Sequence, residues 1–136
     1  MNSHYSIAVH ILSLIDSSAE ALSSEFIAGS VGVNPVVIRQ VTGLLRRSGL
    51  LNTQRGVPGA RLTRPPSQIS LLDVYRAAEA PNSMLKIHPH PNPACPVGAR
   101  IQGVLDDVFG QAQAALEARL AHITLAEVSA SLKQAG

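Results

Sequence analysis

Apolar residues recur every three or four positions through the first third of the chain, the spacing of one face of an α-helix. The spacing predicts a first helix over 3–15 with Ser3 as its cap, a second from about Ser23 with Ser23 or Ser24 as its cap, and a third from Asn34. Asn34 is a favourable N-cap, Pro35 suits the first helical position, and Gly49 suits the left-handed residue that ends a helix. The residues predicted to be buried are Ile7, Ala8, Ile11, Leu12 and Ile15, then Phe26, Ile27 and Val31, then Val37, Ile38, Val41, Leu44 and Leu45.

A short glycine-containing turn separates the second helix from the third. This arrangement predicts a helix-turn-helix, for which an ordinary helical hairpin is the alternative. After the third helix, Leu50 and Leu51 open an extended segment, Gly56-Val57-Pro58-Gly59 is typical of a turn, and Arg61-Leu62-Thr63 returns. A hairpin directly after a helix-turn-helix favours a winged helix, in which the third helix enters a DNA groove and the hairpin tip lies beside it.

Beyond the hairpin, Ser70 is predicted to cap a fourth helix that ends before Pro81, and a proline-rich loop follows to Pro96. Helical spacing then runs from Val97 to His122, and roughly 25 helical residues are about 38 Å long. One winged helix cannot cover so long an apolar stripe, so we expect one end on its own core and the rest against the same helix of a second chain. The stripe consists of Val97, Ile101, Val104, Leu105, Val108, Ala112, Ala115, Leu116 and Leu120.

These elements divide the chain into a winged helix-turn-helix domain over 1–80, a sensor or linker loop over 81–96, and a dimerisation helix with a C-terminal helix over 97–136. Thr124 is predicted to cap that last helix, Leu125 to Gln134, which would close over the paired long helices. The predicted fold class is therefore mainly α with a small β-hairpin: a winged helix-turn-helix domain plus a long C-terminal dimerisation helix. A chain of 136 residues with 46% hydrophobic residues can bury one such core.

Charge is unevenly distributed along the chain. No acidic residue lies between Glu25 and Asp73, and the formal net charge is +3 up to Pro66 but −1 from Ser67 onward. A local basic surface on a helix and wing favours double-stranded DNA as the partner. A solvated arginine-rich surface and a winged helix that binds protein instead of DNA are the alternatives. The arginines of the acid-free segment are Arg39, Arg46, Arg47, Arg55, Arg61 and Arg64.

Several other classes of protein are disfavoured. Aromatic residues are only 3% of the chain, too few for a base-stacking single-strand binder. The apolar runs are too short to cross a bilayer, no signal-peptide pattern is present, and the single cysteine predicts a reducing, cytoplasmic setting. No phosphate-binding glycine loop, carboxylate pair or nucleophile with an identifiable base is present, so an enzyme is not predicted.

Taken together, four segments resemble the Rrf2 family of bacterial winged-helix transcriptional regulators. They are 34–40 (NPVVIRQ), 44–50 (LLRRSGL), 55–62 (RGVPGARL) and 69–77 (ISLLDVYRA), followed by a loop and a long helix. The resemblance covers nearly the whole chain. It implies a homodimer that binds a near-palindromic operator and usually represses transcription.

The chain departs from part of that family in the loop before the long helix. Cluster-binding members carry three cysteines there, whereas this chain has only Cys95, and one thiolate cannot hold an iron–sulfur cluster. We therefore expect no cluster and no other cofactor. The chain resembles the cluster-free branch, whose effector is a small molecule, thiol oxidation, or absent.

Arg39 and Gln40 lie early in the predicted recognition helix, where arginine can bond guanine twice and glutamine can do the same for adenine. The resemblance places Arg39 at a base-reading position, and a phosphate contact is the alternative. Arg55 and Arg61 flank the wing and are predicted to contact the minor groove or phosphate. The full set of predicted DNA-binding residues is Asn34, Val36, Arg39, Gln40, Arg46, Arg55 and Arg61.

The predicted sensor residues are Cys95, His88 and His90. Cys95 and Pro96 are expected to form the cap and first turn of the long helix, where partial positive charge stabilises a thiolate. Protonated histidines would add to that effect. The alternatives are a cysteine that only packs at the junction and a metal site of these three residues, which fits no standard zinc spacing. No metal is predicted.

Overall fold

The computed structural model describes residues 3–79 and 85–135. Two short strands, β1 (Leu51–Asn52) and β2 (Arg61–Leu62), pair antiparallel and form the wing. A 3-10 turn, Pro66–Gln68, leads out of the wing. The helices of the described part are α1 (His4–Ser17), α2 (Ser24–Val31), α3 (Pro35–Arg47), α4 (Leu71–Glu79), α5 (Ile101–Ala121) and α6 (Leu125–Ala135). The order of these elements confirms the predicted winged helix.

Local capping signals explain where α2 and α3 begin and end. The Asn34 side-chain oxygen accepts a hydrogen bond from the Val36 N–H at 2.8 Å, which satisfies a free donor of the first turn. The Ser23 hydroxyl does the same for α2. Gly49 follows α3 with a φ of 85°, the left-handed conformation that glycine adopts without strain. Ser3 differs from the prediction, because it precedes α1 without a side-chain cap hydrogen bond.

The core lies between α1 and α3 and extends to α4 and α6. Ile11 and Leu12 of α1 are fully buried, and so are Val41 and Leu45 of α3. The prediction that Phe26 is buried is wrong, since its side chain is 58% exposed. Successive helical residues are rotated by about 100°, so when Ile27 and Ala28 face α3 their neighbour faces solvent. Four other predicted core residues are only partly buried: Ile15, Val31, Val37 and Leu44.

The wing is attached to the domain at its base and near its turn. At the base, the Thr63 hydroxyl donates to the Gly49 carbonyl at 2.6 Å. Near the turn, Gly59 has a φ of 82° and packs against the loop between α1 and α2. A Cβ at Gly59 would lie 2.8 Å from the Cβ of Ala21, so this close approach requires glycine.

An ion pair and a reciprocal cap fix the path from the wing to α4. The Arg64 guanidinium donates to Asp73 Oδ2 at 3.2 Å and to the Gln68 carbonyl at 3.0 Å. Asp73 also accepts the Ser70 N–H, while the Ser70 hydroxyl accepts the Asp73 N–H, each at 3.0 Å. The predicted Ser70 cap is confirmed. The predicted end of α4 before Pro81 and the start of the loop lie outside the described residues.

The long helix begins later than predicted. Residues 93–100 form turns, and α5 starts at Ile101 instead of Val97. In these turns Gly98 lies against the Asn92 carbonyl, where a side chain would clash, so this path of the chain before the helix requires glycine. At 21 residues, α5 is about 31 Å long. None of its residues, all of which the structure describes, is buried.

The last helix packs against its own chain. Thr124 and Glu127 form the predicted cap, each accepting the other's N–H through its side chain. Leu125 is fully buried in the core, and the Ser129 hydroxyl donates to Asp16 Oδ2 at 2.6 Å. The inner face of α6 therefore packs against α1 and the 3-10 turn of its own chain. Closure of α6 over a pair of long helices stays a prediction.

Candidate nucleic-acid interface

The outward face of α3 carries Val36, Arg39 and Gln40. All three are exposed, because the opposite face buries Ile38 and Val41. Residues spaced by three and four positions share one side of a helix, so this set lies on a single surface. Asn34 lies at the end of the same helix, where its side chain is engaged in the cap. We call Val36, Arg39 and Gln40 the reading face.

The reading face includes an ion pair that the sequence pattern did not predict. Arg39 Nη2 lies 3.4 Å from Glu25 Oε1 in the first turn of α2, and the two side chains are 57% and 70% exposed. Exposed pairs of this kind contribute about 0.2–1 kcal/mol. The pair is therefore weak enough for the guanidinium to exchange Glu25 for another acceptor at little cost.

The two acids that bound the acid-free segment each pair with one of its arginines. Glu25 pairs with Arg39, and Asp73 pairs with Arg64. Arg64 thus has a structural role at the wing exit. Arg46 lies exposed in the last turn of α3, where a cation also interacts favourably with the helix dipole.

The wing presents two of the predicted contacts. Arg55 lies exposed in the segment between the strands, and Arg61 lies on β2 directly opposite Asn52. Within the described ranges, neither arginine forms an ion pair with another residue of the chain. The structure thus brings together a helix face and a hairpin that both present arginine to solvent.

The loop before α5 folds on Asn92. The Asn92 side-chain oxygen accepts the Ala94 N–H at 3.0 Å, and its carbonyl accepts the Cys95 N–H at 3.3 Å. Cys95 is exposed six positions before α5, so the prediction that it caps this helix is wrong. Backbone hydrogen bonds from Gly98 and Val97 hold the pKa of the Cys95 thiol below its ordinary value. The backbone amides of a turn therefore lower this pKa, where we expected the N-terminus of the long helix to do so.

His88 and His90 are both exposed in this loop, and His90 has a left-handed φ of 58°. They are not among the causes of the lowered Cys95 pKa. Across 3–79 and 85–135, no group of three or more His, Cys, Asp and Glu side chains is arranged to hold a metal ion. The three predicted sensor residues thus share a loop without forming one cluster.

A polar network connects the domain to α5. The Tyr75 hydroxyl accepts a hydrogen bond from Gln113 Nε2 at 2.9 Å, and Glu117 accepts another from the same nitrogen at 3.2 Å. Glu117 also pairs with Arg76 at 3.4 Å. Tyr5 packs edge-on against Tyr75, and burial raises the pKa of Tyr5 to about 12. This network holds one side of α5 on its own domain.

A winged helix with an exposed reading face and an arginine-bearing wing defines the class of DNA-binding transcriptional regulators. Residues 1–131 match the family described as "Rrf2: Iron-dependent Transcriptional regulator", and the chain belongs to this Rrf2 family. The predicted family is confirmed. Membership classes the protein as a transcriptional regulator.

Relatives and solved structures agree with this assignment. YwnA of Bacillus subtilis, provisionally named an HTH-type transcriptional regulator, is 48% identical over 128 residues, which cover 94% of this chain and 96% of YwnA. A crystal structure of a provisionally assigned DNA-binding protein is 45% identical, with a TM-score of 0.76 and coverage of 93% and 98%. A provisionally assigned regulator from Lactobacillus plantarum is 26% identical, with a TM-score of 0.79 and coverage of 98% and 91%.

The family description names iron, which this chain is poorly equipped to bind as a cluster. Iron–sulfur clusters are held mainly by several cysteine thiolates, and the chain has one cysteine. That cysteine is exposed, and in the described residues it belongs to no group of three or more side chains that could hold a metal ion. The residues present therefore do not fit a cluster.

No described helix is long and apolar enough to cross a membrane.

Proposed function

We propose that this protein is a homodimeric, sequence-specific DNA-binding regulator that acts in the cytoplasm as a repressor at a near-palindromic operator. The observation that carries the proposal is the reading face on α3 beside Arg55 and Arg61 of the wing. In this assignment Arg39 and Gln40 contact base edges in the major groove. Asn34 and Arg46, at the two ends of α3, and the wing arginines contact the backbone, which positions the protein without selecting sequence.

The exposed face of α5 supports the dimer. Val104 and Val108 are 56% and 52% exposed, and Val97 just before the helix is 68% exposed. Such a run of exposed apolar side chains marks an interaction surface. Pairing of two α5 helices about a two-fold axis would bury it and would place half-sites about one helical turn apart, roughly 34–36 Å.

Arg39→Ala tests the base-reading role. We expect the substitution to weaken operator binding by about 1–3 kcal/mol and binding to random duplex by much less, because a base contact carries sequence information. Fluorescence anisotropy with both duplexes measures the difference. Lys133→Ala, which removes one exposed charge on α6, is the control and should leave both affinities nearly unchanged.

Equal losses on both duplexes would make Arg39 a phosphate contact. If the native protein binds no duplex at low salt, the proposal fails. Binding to a protein partner that changes little with salt would instead favour the protein-interaction alternative, because DNA affinity falls steeply with salt through counterion release.

We further propose that oxidation of Cys95 regulates DNA binding. The support is an exposed thiol with a lowered pKa, because a larger thiolate fraction at neutral pH speeds reaction with oxidants. Mild oxidant should weaken operator binding, reductant should restore it, and Cys95→Ser should bind DNA but not respond.

Alkylation of Cys95 measured against pH checks the cause of this reactivity. Its midpoint should lie below that of an ordinary thiol and should not move in His88→Ala or His90→Ala, since backbone amides supply the hydrogen bonds. An unchanged oxidant response in Cys95→Ser would exclude the thiol as the sensor and would favour a small-molecule effector.

A further inference from the structure

A cavity of about 530 Å³ lies between the wing, the connection from α1 to α2, and the inner side of α3. Small-molecule sites in proteins commonly measure about 300–1,000 Å³, so the cavity is large enough for a metabolite. Asp16 and Glu20 contribute from the α1 side, Thr42 from α3, and Thr53 and Arg61 from the wing. The cavity is separate from the reading face and from the Cys95 loop.

The cavity walls carry opposite charges. Glu20 and Arg61 have no side-chain hydrogen bond or ion pair to another residue in the described parts of the chain. Asp16 accepts one hydrogen bond from Ser129, which leaves its carboxylate with further acceptor capacity. Leu22 and Val57 add apolar surface to the same cavity.

These charges limit the chemistry of an occupant. A purely anionic ligand would face the carboxylates of Asp16 and Glu20, and a purely cationic one would face the Arg61 guanidinium. A ligand with both charges satisfies both walls, because like charges repel and opposite charges attract in a partly enclosed site. We propose that the cavity binds a small zwitterion of the amino-acid class, with its ammonium group toward Glu20 and its carboxylate toward Arg61.

Binding there would also affect the DNA contacts, a consequence that rests on the proposed function. The occupant would touch both α3 and the wing, next to the point where Gly59 of the wing packs against Ala21 of the α1–α2 connection. It would also draw Arg61 from a DNA phosphate toward the ligand carboxylate. The ligand therefore weakens operator binding, and by linkage DNA weakens ligand binding by the same factor.

Calorimetric titration of the full chain without DNA tests the site. Each standard amino acid is titrated in turn, with inorganic phosphate and butylamine as ligands of a single charge. At least one amino acid should bind saturably, one per chain, and neither single-charge ligand should bind. Glu20→Gln should weaken that binding at least about tenfold, a loss of roughly 1.4 kcal/mol. Asp107→Asn, an exposed acid on α5, is the matched control and should not change it.

Thr53→Trp provides a second variant, because a large ring at this exposed position would fill the cavity without removing a charge. It should abolish binding. The proposal is overturned if no amino acid binds, if phosphate or butylamine binds equally well, or if both cavity variants bind like the native protein.

Operator titrations with and without the bound amino acid then test the regulatory step. Unchanged operator affinity would overturn the regulatory step alone. Because ligand binding is measured without DNA, failure of the DNA-binding proposal and failure of the ligand site give distinguishable results.

Discussion

Val108→Asp is expected to convert the proposed dimer into a monomer and to weaken operator binding by about 10²–10⁴-fold. This is the gain in affinity that a second, tethered DNA-binding domain supplies and that a monomer lacks. Val108 lies on the exposed apolar face of α5. In a two-fold interface the substitution places two carboxylates on equivalent positions near one axis. Desolvating those charges without a partner is unfavourable, so association should fail.

Light scattering at micromolar protein concentration measures the assembly, and circular dichroism should show an unchanged helical content because Val108 is not part of the core. Gln102→Asp introduces a carboxylate at an exposed position on another face of α5 and should leave the dimer intact. A monomeric native protein, or a Val108→Asp protein that remains dimeric, would contradict pairing through this face.

Leu125→Ala is expected to lower the free energy of unfolding by about 2–5 kcal/mol, the usual cost of a large-to-small change in a packed core. Leu125 is fully buried, and its N–H donates to the Ile69 carbonyl at 2.8 Å. The substitution therefore leaves a cavity at the point where α6 joins the winged helix.

Urea unfolding of the native and variant proteins measures this loss. Leu132→Ala on the same helix is the matched control, because Leu132 is 57% exposed and its change should cost much less. If the two substitutions cost the same, then α6 does not form part of the core in solution.

The residue pattern predicted those features that depend on near neighbours in the chain. The caps at Ser23, Asn34, Ser70 and Thr124 were all predictable, since each hydrogen bond joins residues two or three positions apart. The wing was predictable because the turn residues Gly56-Val57-Pro58-Gly59 lie between two short extended segments. The division of the chain into three parts and the roles of the predicted DNA and sensor residues stay predictions.

Counting charges along the chain overstated how many arginines of the acid-free segment are free of acidic partners. The acid-free segment from Glu25 to Asp73 holds six arginines, yet the two bounding acids pair with two of them. Glu25 and Arg39 are 14 positions apart, and no spacing rule relates them. Their contact depends on how α2 crosses α3, which the packed core decides.

The sequence by itself determined the winged helix, the caps at Ser23, Asn34, Ser70 and Thr124, and the family, because local periodicity and turn residues act over a few positions. Only the tertiary structure decided that Phe26 is exposed, that α6 packs on α1, and that turns with Gly98 against Asn92 precede α5. It also formed the cavity beneath the wing, from segments that are far apart in the chain. The exposure of Phe26, the packing of α6 and the cavity depend on contacts between distant segments, and the start of α5 depends on how one loop folds. A one-dimensional pattern records neither.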